Sequence, residues 1–263
     1  MDFLQTIVAA KKKQVEAAIK AVPFGEVKKA AAARTDFRDF TGPLMRHENN
    51  RVNIIAEIKR ASPSKGMIRA EADAAWFARA YENGGAAAIS VLTEPDFFKG
   101  GADDLKVARS AQGLALLRKD FIVSEYQVYE SAAIGADAVL LIVRILDPAS
   151  LGRYLAIARD LGMEALVEVY DGDELETAAA AGARLIGINN RNLDSFDTDV
   201  SRAATIQKRL GKGMVAVAAS GISGREDIEA GVNAGIRNFL VGESIMRASN
   251  PEAFLRSLIS GES

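Results

Sequence analysis

Two oppositely charged side chains interrupt an apolar run early in the chain. Residues 54–58 (IIAEI) are typical of a buried strand, and Lys59 follows them. Glu57 and Lys59 are two residues apart, so a strand would direct both side chains to the same face. Residues 62–64 (SPS) then end the strand in a loop. Charges at a strand end are costly unless they are paired or used, so we predict a functional ion pair here.

Two further charged residues lie in apolar runs of the same kind. Lys119 closes residues 114–119 (LALLRK), and Glu168 lies within residues 165–169 (ALVEV). An amine and a carboxylate in one cleft can donate and accept protons, which is general acid–base chemistry. A lysine that reaches solvent and a structural ion pair are the alternatives for these residues taken singly. Convergence with Glu57 and Lys59 would favour acid–base catalysis.

Two loops of small residues come late in the chain. Residues 219–224 (ASGISG) and 241–244 (VGES) each follow an apolar stretch and lead into a helical one. Backbone N–H groups at such a helix start bind phosphate when no side chain blocks the approach. We predict phosphate contacts at Gly221, Gly242, Glu243 and Ser244, with ordinary turn glycines as the alternative. A carboxylate is unfavourable beside phosphate, so Glu243 is expected to contribute its backbone N–H and point its side chain away.

Polar and aromatic residues near other predicted strand ends indicate how a substrate could be held. Asn189 can orient hydroxyl groups, and Arg191 can bind a carboxylate with two hydrogen bonds. Turn chemistry explains Asn190 and Asn192 better. The residues that could wall an aromatic substrate are Pro63, Phe97, Phe98 and Phe121. Ordinary core packing is the alternative for each of them.

The elements that must position these residues alternate regularly after residue 52. The predicted strands are 53–59, 86–93, 114–119, 137–143, 164–170, 185–189, 214–219 and 238–241. The predicted helices are 71–82, 103–110, 124–133, 148–160, 173–181, 200–209, 225–234 and 251–259. Eight strands that each precede a helix predict an α/β fold, a (β/α)8 TIM barrel. The active site of such a barrel lies at the carboxyl ends of its strands, which would gather the residues named above.

Glycines recur at similar intervals where predicted helices end. Each suits a left-handed helix C-cap, which supports repeated strand–helix units. These glycines are Gly85, Gly113, Gly135, Gly162, Gly182, Gly211 and Gly235.

Residues 1–51 are expected to form an N-terminal helical extension on the barrel of residues 52–263, within a single domain. Apolar residues follow helical spacing over residues 3–20, with the lysines expected on the other side. Residues 21–51 show no clear pattern. His47 lies in this extension and is expected at the surface or at an interface, not in catalysis.

Composition limits the possible functions. The 263 residues are 49% hydrophobic and 26% charged, with a net charge of −2, as in an ordinary globular protein. We expect no membrane span, no signal peptide and no nucleic-acid surface. Cysteine is absent and there is one histidine, which excludes thiolate chemistry and argues against a histidine triad or multi-histidine metal site. We expect a cytoplasmic protein without a metal or organic cofactor.

Several pieces of the sequence, taken in order, carry a family resemblance. They are 54–66 (IIAEIKRASPSKG), 90–94 (SVLTE), 117–123 (LRKDFIV), 135–142 (GADAVLLI), Glu168, 186–193 (IGINNRNL), 219–223 (ASGIS) and 241–247 (VGESIMR). Together they resemble indole-3-glycerol-phosphate synthase of tryptophan biosynthesis over nearly the whole chain. The resemblance implies a carboxy-lyase that converts 1-(2-carboxyphenylamino)-1-deoxyribulose 5-phosphate to indole-3-glycerol phosphate, with loss of CO2 and water.

The resemblance also implies a role for each catalytic candidate. Lys119 would be the leading general acid, and Glu168 the base or second acid. Glu57 and Lys59 would form a supporting charged pair. Asn189 and Ser220 would orient hydroxyl groups. The order in which the two lysines act stays open.

The same resemblance implies where the substrate lies. Its phosphate would sit on the N–H groups of the glycine loops, with help from Lys59. Its aromatic ring would lie against Pro63, Phe98, Phe121 and Leu140. Its carboxylate would face Ser62 and Arg191. We expect a monomer that takes this small phosphorylated substrate and that can associate with other enzymes of tryptophan biosynthesis.

One position departs from the family. The family has a glutamate before the Ser-Gly of the seventh predicted strand, where this chain has Ala219. The charge around Lys59 and Lys119 therefore becomes more positive. The chain is either a natural divergent member or a variant made with weakened turnover. A catalytically silent phosphate-binding barrel, or another such barrel like phosphoribosylanthranilate isomerase, is the alternative.

Overall fold

Eight parallel strands close into a barrel in the computed structural model, which describes residues 3–46, 51–191 and 201–260. The strands in chain order are β1 (Asn53–Ile58), β2 (Ala61–Ser62), β3 (Gly66–Met67), β4 (Ala88–Leu92), β5 (Leu116–Lys119), β6 (Ala138–Ile142), β7 (Glu164–Val169), β8 (Leu185–Asn189), β9 (Val215–Ala219) and β10 (Asn238–Val241). Around the barrel the order is β1, β10, β9, β8, β7, β6, β5 and β4. The predicted (β/α)8 barrel is confirmed, and each predicted strand is present.

Twelve α-helices fall within the described residues. They are α1 (Phe3–Ala21), α2 (Phe24–Ala32), α3 (Thr41–Met45), α4 (Ala74–Asn83), α5 (Ala102–Ala111), α6 (Glu125–Ala133), α7 (Pro148–Leu161), α8 (Gly172–Ala180), α9 (Ser201–Gln207), α10 (Arg225–Asn233), α11 (Glu243–Arg247) and α12 (Pro251–Ser260). The first barrel helix starts later than predicted because the Asp73 carboxylate caps it, accepting the N–H groups of Ala75 (2.8 Å) and Trp76 (3.2 Å). Across these helices, none combines the length and the apolar character needed to cross a membrane.

The described part of the N-terminal extension, residues 3–46, contains three helices, two of them after residue 21 where the sequence pattern indicates none. Phe40 and Leu44 are fully buried and share a cluster with Ile55 and Ala88 of the barrel strands. The side-chain amide of Asn53, the first residue of β1, donates a hydrogen bond to the Leu44 carbonyl (3.3 Å). The extension therefore closes the barrel at the amino ends of its strands.

Alternation along β1 decides which side chains reach the barrel interior. Ile54, Ala56 and Ile58 pack in the cluster between the strands and the outer helices. Ile55 packs in the second cluster, inside the barrel. Glu57 has the same parity as Ile55, so it too points inward, at the carboxyl end of the strand.

A short hairpin follows β1 where the sequence indicates only a loop. Ala61 pairs with Met67 and Ser62 with Gly66 in antiparallel register. Gly66 has a φ of 63°, which favours glycine at the turn. Strands of two residues leave no periodic pattern in a sequence, so the hairpin could not be predicted.

The predicted left-handed glycines are confirmed at five of seven positions. Gly85, Gly135, Gly162, Gly182 and Gly235 have φ values of 86°, 100°, 87°, 87° and 88°. The prediction is wrong for Gly113, because Gln112 ends α5 in an extended conformation and its side-chain amide donates to the carbonyls of Ala108 and Leu114. It is also wrong for Gly211, since Gly213 (φ 85°) makes the turn before β9.

Candidate active site

Glu57 and Lys59 form a close ion pair at the end of β1. The distance from Lys59 Nζ to Glu57 Oε1 is 2.7 Å, and the Ser90 hydroxyl donates to Glu57 Oε2 (3.4 Å). Burial raises the pKa of Glu57, but the charges of Lys59 and Lys119 and the two hydrogen bonds outweigh it and lower the net pKa. Glu57 is therefore a carboxylate at neutral pH.

Lys119, the last residue of β5, faces Glu168 of β7. Their charged atoms, Nζ and Oε2, are 3.7 Å apart. The Asn189 side-chain amide donates to the other carboxylate oxygen of Glu168 (3.1 Å). Glu168 and Asn189 are each 5% exposed, so the carboxylate is held in place away from bulk water. Two amine–carboxylate pairs thus share the mouth of the barrel.

The loops after β9 and β10 form the opposite wall. Ser220 and Gly221 have φ values of 68° and 78°, which turns the backbone sharply after β9. A Cβ on Gly242 would lie 2.5 Å from Glu57 Oε1 and 3.0 Å from Lys59 Nζ, so a side chain there would displace the ion pair. The backbone of this loop therefore lies directly against the Glu57–Lys59 pair.

Two side chains of the β10 loop are already engaged. Glu243 Oε1 accepts a hydrogen bond from Arg247 Nε (3.1 Å), so an arginine partly balances the carboxylate. The Ser244 hydroxyl donates to the Ile222 carbonyl (3.0 Å) and joins the two glycine-containing loops. Because both side chains have partners, Glu243 and Ser244 offer a ligand mainly their backbone N–H groups.

An apolar surface lies across from those loops. Phe98 and Phe121 face one another with ring centroids 6.1 Å apart. Pro63 and Leu140 line the same cavity. Phe97 turns away to pack edge-on against Phe3 of α1, with ring centroids 5.4 Å apart, so it is not part of this wall.

Polar groups border the apolar wall. The Ser62 hydroxyl is buried and has no hydrogen-bond partner in the described parts of the chain. Arg191 donates from its guanidinium to the Ser64 hydroxyl (2.8 Å), which fastens the hairpin to the end of β8. The prediction of an Asx turn at Asn190 is wrong, because the turn lies at Asn189, whose side-chain oxygen accepts the Arg191 N–H (3.0 Å). Asn190 instead bridges the Ser220 carbonyl and the Ala203 N–H.

Apart from Phe97, the predicted site residues described by the structure, sixteen in number, line one cavity of about 510 Å³. They are Glu57, Lys59, Ser62, Pro63, Phe98, Lys119, Phe121, Leu140, Glu168, Asn189, Arg191, Ser220, Gly221, Gly242, Glu243 and Ser244. Ala219 lines it as well, beside Asn189 in the strand register, and presents only a methyl group. His47 and Asn192 lie outside the described residues.

The sequence interpretation missed several residues of this cavity. Lys65 and Arg247 line it and bring positive charge. The signal for Lys65 was present, since it continues the Ser-Pro-Ser loop. Asp120, which follows Lys119 at the predicted strand end, lines the cavity as well. The expectation that the lysines of α1 lie on its exposed side is wrong for Lys11, which is 3% exposed.

Comparisons with known proteins agree with this geometry. A profile of the family described as indole-3-glycerol phosphate synthase matches residues 4–258. The indole-3-glycerol phosphate synthase of Desulfosudis oleivorans is 53% identical over 260 residues, covering 98% of this chain and 99% of that protein. That of Syntrophobacter fumaroxidans is 48% identical over 257 residues, covering 98% of this chain and 97% of that protein.

A solved structure shows the likeness of fold alone. KGPDC from Streptococcus mutans has a TM-score of 0.60 and 16% identity, covering 79% of this chain and 95% of that one. The family assignment comes instead from the profile and the curated relatives, which extend over almost all of the sequence. The chain belongs to the indole-3-glycerol phosphate synthase family.

Proposed function

We propose that this chain is a carboxy-lyase of tryptophan biosynthesis that converts 1-(2-carboxyphenylamino)-1-deoxyribulose 5-phosphate to indole-3-glycerol phosphate, CO2 and water. The observation that carries the proposal is the convergence of two amine–carboxylate pairs, Lys59 with Glu57 and Lys119 with Glu168, in one cavity. Its volume of about 510 Å³ lies in the range of small-molecule sites.

The phosphate end of the substrate is assigned to the loops after β9 and β10. Gly221, Gly242 and Glu243 would donate backbone N–H groups to the phosphate oxygens. Lys59 would add a positive charge, because its Nζ lies close to the backbone of Gly242, 3.0 Å from where a Cβ on that residue would be. Gly221 and Gly242 have no side chain that could block the approach of an anion.

The aromatic end is assigned to the opposite wall. The ring would lie between Phe98, Phe121 and the apolar surface around Leu140, which removes it from water. Its carboxylate would meet the Arg191 guanidinium at the hairpin and the Ser62 hydroxyl, which has no hydrogen-bond partner among the described residues. These contacts hold the ring on one side of the reacting carbon and the ribulose chain on the other.

The reaction needs protons delivered and removed at fixed points. The ring carbon that bears the carboxylate attacks the ketone carbon, while Lys119 protonates the ketone oxygen. Loss of CO2 from the same ring carbon restores aromaticity. A second proton, from Glu168 or Lys59, lets the new hydroxyl leave as water, and the Glu168 carboxylate then accepts the proton whose removal completes the indole ring. Such acid–base steps contribute roughly 10²–10⁴ each in rate.

The decisive experiment follows indole fluorescence after the purified chain is mixed with the carboxyphenylamino substrate. We expect a product signal that saturates with substrate and is lost in the Lys119→Ala variant. A folded chain that binds the substrate without forming product would refute the proposal. That result would make it a silent barrel, the alternative that the alanine at position 219 raises.

Two further properties are proposed with the reaction. The enzyme acts in the cytoplasm, as a biosynthetic enzyme whose described helices include no membrane span. It acts as a monomer, alone or in association with other enzymes of tryptophan biosynthesis. Light scattering at micromolar concentration tests the monomer, and a mass twice that of the 28.0 kDa chain would contradict it.

A further inference from the structure

One lysine of the N-terminal helix is inside the protein. Lys11 lies on the buried stripe of α1 with Leu4, Ile7 and Val15, and it is 3% exposed. The next residue, Lys12, is exposed. A buried ammonium is costly unless it is paired and hydrogen-bonded, so the fold keeps Lys11 there only with partners.

Two buried carboxylates pair with the Lys11 side chain. Lys11 Nζ lies 2.8 Å from Asp120 Oδ1 and 3.9 Å from Glu94 Oε1. Asp120 and Glu94 are 2% and 0% exposed. They follow β5 and β4, which are neighbouring barrel strands. A residue of the extension thus joins the ends of two strands at the mouth of the barrel.

The first carboxylate controls the backbone beside the proposed acid. Asp120 Oδ1 accepts the N–H of Phe121 (2.8 Å), and Oδ2 accepts the Thr93 hydroxyl (2.7 Å). Burial raises the pKa of Asp120, but the charges of Arg118 and Lys11 and the hydrogen bonds outweigh it and lower the net pKa. Asp120 therefore stays ionised and fixes the peptide between Lys119 and the ring of Phe121.

The second carboxylate controls the facing ring. Glu94 Oε2 accepts the N–H groups of Phe97 (2.7 Å) and Phe98 (3.1 Å), and Oε1 accepts that of Asp96 (3.1 Å). These three bonds shape the turn after β4 and set the position of the Phe98 ring. The two aromatic faces of the cavity, Phe98 and Phe121, are thus each held by a carboxylate beside the same ammonium.

We propose that Lys11 is a positioning residue of the active site. By holding Asp120 and Glu94 together, it fixes the spacing of the Phe121 and Phe98 rings and the place of the adjoining Lys119. It touches neither substrate nor reacting atoms, and it acts only on the aromatic side of the cavity. The inference rests on the proposed function for the identity of the substrate.

The test compares Lys11→Met, which keeps the apolar stem and removes the charge, with Lys12→Met as the exposed control. The measurements are kcat and KM for the carboxyphenylamino substrate and the inhibition constant of inorganic phosphate. We expect Lys11→Met to lower kcat/KM about 10- to 100-fold, since misplacement by about 1 Å costs up to about 10²-fold. Phosphate inhibition should change less than about twofold, because the β9 and β10 loops are untouched.

Three results would overturn the inference. They are a normal kcat/KM in Lys11→Met, an equal loss of phosphate affinity, and an equal effect of Lys12→Met. If Lys11→Met does not fold, the paired variant Lys11→Met/Asp120→Asn, which removes both charges, is judged by the same criteria. Failure of both variants to fold makes Lys11 structural and ends the proposal. An unaltered chain that forms no product would instead refute the proposed function.

Discussion

Replacing Lys119 by alanine should lower kcat by roughly 10²–10⁴, because the variant loses the proposed general acid. That loss corresponds to about 2.7–5.4 kcal/mol in the activation free energy. The binding of the phosphate end should persist, since the β9 and β10 loops are on the opposite wall. KM is therefore expected to change much less than kcat.

The stability cost of the same substitution should be smaller. The Lys119–Glu168 distance of 3.7 Å exceeds a normal hydrogen bond, and the lysine side chain is 21% exposed. Glu168 keeps the hydrogen bond from Asn189 (3.1 Å) after the change. Leaving a buried carboxylate less well paired costs about 1–3 kcal/mol, which a typical domain stability of about 5–15 kcal/mol can absorb. The variant should fold, so its turnover can be measured.

The assay is the appearance of indole fluorescence at saturating substrate, with urea unfolding measured in parallel. Lys106→Ala is the matched control, since that lysine is 55% exposed and pairs with Asp103 at the surface. Its kcat should be unchanged and its stability should fall by less than about 1 kcal/mol. A folded Lys119→Ala variant with near-normal kcat would remove Lys119 from the mechanism. Lys59→Ala would then be the next variant to measure.

Three further predictions concern other parts of the molecule. Ala219→Glu should raise kcat by supplying the carboxylate that the family resemblance implies at this position; unchanged turnover would show that the carboxylate is irrelevant or compensated. Asp137→Ala should lower the unfolding free energy by about 3–5 kcal/mol in urea melts, because this buried carboxylate pairs with Arg34 (2.5 Å) and Arg109 (2.7 Å). A loss of unfolding free energy below about 1 kcal/mol would contradict this prediction. Hydrogen bonds from Arg109 and Arg34 lower the pKa of Asp36 from 3.8 to about 2. The stability that Asp36 contributes should therefore be present above pH 3.8 and lost as the pH falls through about 2. An NMR titration that returns a pKa of 3.8 for Asp36 would refute this.

The barrel could be predicted because its signals are local and repeated. Each strand is a short apolar run, each helix follows it, and the carboxyl ends of parallel strands must meet. Glu57, Lys119 and Glu168 lie at or near the ends of such runs, so they could be expected together at the carboxyl end of the barrel. The family resemblance added the roles, which spacing alone does not contain.

What could not be predicted depends on contacts between distant segments. Lys11 looks like one of three consecutive surface lysines, and only its ion pairs with Glu94 and Asp120 in the structure explain its burial. Asn189 and Asn190 are identical in type, yet Asn189 forms the Asx turn while Asn190 donates a hydrogen bond to the Ser220 carbonyl after β9. Nothing local separates such cases, because the partner lies tens of residues away.

The N-terminal segment meets the barrel at both ends, and this limits how the enzyme can be rearranged. Phe40 and Leu44 fill the floor, while Lys11 stands behind the rings at the mouth. A barrel excised at Val52 would have an unplugged base, and Glu94 and Asp120 at its mouth would lack the Lys11 partner. In a chimera, a fusion or a circularly permuted chain, the portable unit is therefore the extension together with the barrel, not the strand–helix repeat by itself.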